Sequence, residues 1–211
     1  MTLLNSTGDP KIDQILQGVV GLVERLFPGR VRSYYLTGSY ADGTAVPASD
    51  LDVTIVLKNS AAHDERDQIF DIADQLSLIS PMFLDLEGVG EDEILVKGYS
   101  LKFASLFLYG DDIRDQIQTP DRDDYVRDCL HHAPIYFMTQ VARRQPVVTF
   151  PLNYPDSTAE FYGYGYNPLE DQHDTKVLLA IIGHAATAIV ALKTGQFVST
   201  KRHCLSLYQQ H

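Results

Sequence analysis

The chain has 211 residues, 45% hydrophobic and 21% charged, which suits one sizeable domain or a core domain with a smaller second one. Acids outnumber bases 28 to 17, and the net charge of −11 opposes a nucleic-acid backbone. It favours a small substrate, above all a cationic one, or a protein partner.

Asp9-Pro10 reads as a helix start, an Asp cap with Pro at the first helical position. Ile12, Ile15, Leu16, Val19, Leu22, Val23 and Leu26 follow at helical spacing, and Pro28-Gly29 stops them. Val31 to Leu36 reads as a strand, Gly38 to Ala48 as a turn with a short helix, and Leu51 to Leu57 as a second strand. Asp64 to Ile79 has a helical apolar face, and Met82 to Val89 is a third strand. Ala104 to Tyr109 is a fourth strand candidate, closed by Gly110-Asp111. Beyond Thr119-Pro120 the composition shifts. Tyr125 to Gln145 reads as helix with Pro134 as a kink or restart, and Pro146 to Pro168 as loop. Asp171 to Thr194 is an apolar helix ending at Gly195, and Ser199 to Gln209 is one more. An α/β half over residues 1–118 and a helical half over residues 119–211 are expected.

No run approaches the ~18 apolar residues of a membrane span. The start, MTLLNSTGDPK, lacks the basic and apolar regions of a secretion signal. Cys129 and Cys204 lie far apart without CxxC spacing, as expected of reduced thiols in a cytoplasmic protein.

The chemistry concentrates in "LTGSYADGTAVPASDLDVTIV", residues 36–56. Asp50 and Asp52 stand two apart on a strand, so their side chains share a face with Cβ atoms roughly 6.5 Å apart. Two carboxylates ~4 Å apart repel by about 4 kcal/mol at an effective dielectric of about 20. A cleft holds such a pair if something positive lies between them. A hard divalent cation takes oxygen ligands, and Mg²⁺ is usually held by one or two carboxylates plus substrate phosphates. Gly38 lets the backbone approach a phosphate, Ser39 adds a hydroxyl, and a following helix start offers free N–H groups to an anion. No Walker A pattern is present in the sequence.

GSYADGTAVPASDLDVTIV resembles the signature of the DNA polymerase β-like nucleotidyltransferase superfamily, a Gly-Ser turn followed about a dozen residues later by an apolar-flanked D-x-D. The resemblance implies an α+β fold, a small mixed sheet with helices, here followed by a helical C-terminal part. It also implies two Mg²⁺ ions and transfer of a nucleoside monophosphate with loss of pyrophosphate. A third carboxylate on a neighbouring strand is common in the superfamily. "PMFLDLEGV" offers Asp85 and Glu87 on one face. Asp85 is the first choice by its place in the strand, with Glu87 close behind.

"LKTGQFVSTKRHC" and "LFLYGDDI" resemble segments of streptomycin/spectinomycin-type aminoglycoside adenylyltransferases. The first match makes Lys201 a nucleotide-phosphate ligand, with Lys193 and Arg202 as neighbouring candidates. The helical half would then contribute to the nucleotide and acceptor pocket. It ends at His211 inside an apparent helix, as a truncated chain would.

The expected activity is transfer of AMP from ATP to a hydroxyl of a small acceptor, with aminoglycosides among the candidates. The competing expectation is a regulatory or toxin–antitoxin partner that uses the same fold to bind or AMP-modify a protein. Lys and Arg total only 17 and form no long basic stripe, which disfavours a nucleic-acid substrate.

Three features stand outside this reading. His131-His132 beside Cys129 suggests zinc, but neighbouring histidines point apart on a helix. His184, in AIIGHAATAIV, reads as a hydrogen-bonded core histidine. The run from Phe161 to Tyr166 reads either as tyrosines packed on the helical half or as an aromatic wall for an acceptor or adenine.

Overall fold

The computed structural model describes residues 2–47, 49–142, 166–167, 172–173 and 176–211. The expected Pro146 to Pro168 loop and the Phe161–Tyr166 run lie outside them, Tyr166 and Asn167 excepted. Contacts divide the chain into two units, Met1–Thr119 and Pro120–His211.

The first unit opens with α1 (Pro10–Leu26), capped as the sequence suggests: Lys11 N–H donates to the Asp9 carboxylate at 2.8 Å. β1 (Val31–Thr37) runs into the short α2 (Gly38–Asp42), and then come β2 (Leu51–Leu57), α3 (His63–Ser77) and β3 (Leu84–Gly90). α4 (Glu91–Lys97), α5 (Tyr99–Ala104) and β4 (Leu106–Gly110) complete the unit with a 3₁₀ turn at Arg114–Gln116. The sheet order is β3-β2-β1-β4, with β1 antiparallel to β2 and β4, and β2 parallel to β3.

Strand alternation assigns each side chain to a face. One face carries Tyr34, Leu36, Leu51, Val53, Ile55, Leu57, Leu84 and Leu86, packed with buried residues of α1 and α3. Five α1 side chains (Ile12, Leu16, Val19, Val20, Val23) are buried there, each contributing about 1.5–3 kcal/mol. α3 lies tight on β3 because position 88 is glycine; a Cβ there would meet Ile69 Cδ1 at 2.6 Å. The other face has a smaller core of Tyr35, Val56, Val89, Leu101, Phe107, Ile113 and Ile117. It covers the ends of β2 and β3 at Val56 and Val89. The beginnings of the same strands carry Asp52 and Asp85 on that face.

The second unit contains α6 (Arg122–Ala142), the short antiparallel pair β5 (Tyr166–Asn167) and β6 (Gln172–His173), α7 (Lys176–Thr194) and α8 (Lys201–Gln210). α6 continues through Pro134 as one helix. Gly195 ends α7 with φ +66°, and a side chain there would press on Arg122, its Cδ 2.6 Å away. Tyr125 packs against Phe197 with the rings tilted (centroids 4.4 Å apart), and its hydroxyl accepts from Val198 N–H at 2.9 Å. Val190, Cys204 and Leu207 form a small core between α7 and α8. Among the described residues no helix is long and apolar enough to cross a membrane.

Candidate active site

The β2–β3 register places Asp52 opposite Asp85. Asp50 sits one residue before β2, after a turn in which Ser49 N–H donates to Val46 O and Ser49 Oγ accepts from Val46 N–H. Leu51 N–H donates to Phe83 O at 3.0 Å, so the two strands begin together. Asp50, Asp52 and Asp85 therefore converge, each with a carboxylate oxygen within 4.8 Å of the other two. Asp50 and Asp52 are half-buried and Asp85 is exposed.

Glu87, the other sequence candidate, stands on the same face opposite Thr54 but outside this cluster. It keeps solvent access, yet the protein around it removes part of its hydration. That loss, with the nearby Asp85 and Glu93 carboxylates, raises its carboxyl above the ordinary value, against the pull of Arg66. Arg66 is itself paired with Glu93 at 2.8 Å. Glu93 and Arg66 come from α4 and α3, and no local sequence pattern tied them to Glu87.

Gly38 opens α2 with φ +64°, a left-handed conformation that favours glycine. It also lies against Asp52: a Cβ at position 38 would collide with that carboxylate, whose Cγ is 2.9 Å from the ideal Cβ position. The requirement for glycine is thus double. Ser39 follows in α2, and its carbonyl accepts from Thr44 N–H at 2.9 Å, closing the turn with Gly43 at φ +70°. Lys193 lies in the last turn of α7 and Lys201 at the first position of α8, both exposed.

The donor set of the triad is three carboxylates. An all-oxygen, anionic set fits a hard divalent cation such as Mg²⁺ and does not select a thiolate- or imidazole-seeking metal.

Residues 16–97, from within α1 to the end of α4, match the family described as nucleotidyltransferase domain. The matched residues span β1 to β3 of the mixed sheet and their helices, an α+β arrangement. Similar solved structures include spectinomycin adenyltransferase AAD(9) from Enterococcus faecialis with ATP and spectinomycin. It is 12% identical with a TM-score of 0.43, over 93% of this chain and 98% of that one. Another is a toxin-antitoxin crystal structure with AMP-PNP, 18% identical with a TM-score of 0.35, over 61% of this chain and 92% of that one. No curated protein matches the chain.

Proposed function

We propose that the protein is a Mg²⁺-dependent adenylyltransferase that moves AMP from ATP to a hydroxyl of a small acceptor and releases pyrophosphate. The observation that carries this reading is the convergence of Asp50, Asp52 and Asp85 inside a nucleotidyltransferase domain. These three residues would hold the metal, which when bound offsets phosphate charge and makes the acceptor hydroxyl easier to deprotonate.

The chain's own groups supply the rest. Gly38 leaves room for the Asp52 carboxylate at the turn, and Ser39 offers a hydroxyl donor. The acceptor oxygen attacks the α-phosphorus, and the bond from that phosphorus to the β-phosphate bridging oxygen breaks. With Asp85 committed to the triad, Glu87 is the carboxylate left to take the acceptor's proton. Desolvation by burial, the largest cause of its raised proton affinity, suits a general base better than full solvation would. The sequence resemblance is what supports giving Lys201, with Lys193, a role at the nucleotide phosphates. The excess of acids favours a cationic acceptor, aminoglycosides being the first class to try.

The test is to incubate the full chain with Mg²⁺ and ATP against an aminoglycoside panel and to weigh the products for added AMP. The expected result is a mass gain in wild type that disappears in Asp50→Asn and in Asp52→Asn, with circular dichroism unchanged. Full turnover in either variant would overturn the metal assignment. AMP found on a protein, with no small acceptor modified, would overturn the acceptor assignment.

A further inference from the structure

The second unit has a side-chain cluster that the transfer reaction does not use. His132 and Tyr136 lie one turn apart on α6 and face His184 on α7. The His132 and His184 ring centroids are 4.6 Å apart at 56°, and Tyr136 lies 4.4 Å from His184 and 6.2 Å from His132. His132 is exposed and His184 half-buried, so solvent reaches the pair. His184, read from sequence as a core histidine, is thus a partner of the histidine that lacked a second ligand on its own helix.

The spacing has a chemical meaning. With metal–nitrogen bonds of about 2.0–2.1 Å, two imidazoles on one ion place their ring centres roughly 4.5–5.2 Å apart for bond angles of about 90–110°. The observed 4.6 Å falls in that interval. Ring packing alone spans about 4.5–7 Å, so the pair lies at the short end of that range, where it also meets the separation a shared ion requires. Tyr136, close to both rings, restricts their rotation and lowers the ordering cost of adding an ion.

We propose that His132 and His184 form a binding site for one divalent transition-metal ion, with water completing its coordination, that ties α6 to α7. Imidazole nitrogen suits Cu²⁺, Ni²⁺ and Zn²⁺, in contrast to the carboxylate triad of the first unit. Among these ions Cu²⁺ binds most tightly by the general order for nitrogen sites. Two protein ligands and the nearby positive Lys201 hold the affinity down. The proposal is independent of the adenylyl-transfer reading.

The full chain, with excess Mg²⁺ present to occupy carboxylates, is titrated with Cu²⁺ and followed by calorimetry and electron paramagnetic resonance. The expected result is one equivalent of Cu²⁺ with imidazole-nitrogen coupling. His132→Phe and His184→Phe, which keep a ring for packing, each weaken binding at least tenfold, and His131→Ala leaves it unchanged. Zn²⁺ raises the melting temperature by a few degrees in wild type and not in His132→Phe. Copper held only by oxygen, or nitrogen coupling that survives in His132→Phe, overturns the site. Should His184→Phe fail to fold, the exposed His132 position decides alone.

Discussion

Gly38 shows how much one residue can carry at the site. Its φ of +64° already costs a side-chain-bearing residue about 1 kcal/mol or more. The collision with Asp52 adds a displaced carboxylate within the triad proposed to hold the metal. Gly38→Ala is therefore expected to lower adenylyl transfer by about a hundredfold. The melting temperature should fall by only a few degrees, since α2 contributes no buried residue. Transfer rate and thermal melt together check this; a variant with near-normal turnover would count against a close fit between positions 38 and 52. The sequence makes a glycine at this turn legible. It does not reveal the contact with Asp52, which exists only once β1 and β2 have paired.

At the scale of elements, strand alternation makes most of the first unit readable, because Leu51, Val53, Ile55 and Leu57 fall on one face, and on the other only Asp52, at the start of the strand, keeps access to solvent. The choice between Asp85 and Glu87 is not readable in the same way. Both stand on one face of β3, and what separates them is the parallel register, set by how α3 returns the chain to the sheet. Long-range partners are equally hidden: nothing local to His132 points to His184. That helix pair has its own pH signature. Burial, then His132 and Lys201, hold the His184 imidazole below its ordinary value. As pH falls, the unfolded chain takes up this proton first. The stability contribution is therefore whole above about pH 6.5 and shrinks as pH drops from there toward the folded-state value. With a chelator present, the urea midpoint of wild type should fall more between pH 7.5 and 5.5 than that of His184→Gln. Equal losses would remove His184 as the cause.

For the whole molecule the dominant quantity is the charge of −11. Fields of this sign draw cations in and are screened over ~10 Å at 0.1 M salt. A cationic acceptor should show kcat/KM falling several-fold between low and physiological ionic strength, with kcat nearly constant. A flat profile would argue for a neutral acceptor. The β2–β3 register carries a further consequence for the chain as a folding polymer. Because side chains alternate, sliding β3 by one residue would turn Asp85 toward the face packed by α3 and expose Leu86. The slipped chain would lose a ligand and bury a charge in the same move. If the triad holds a divalent ion as proposed, that affinity is a proofreading signal for strand pairing: an ion would reward only chains whose sheet has closed correctly. Refolding in Mg²⁺ would then enrich the native pairing over its nearest competitor.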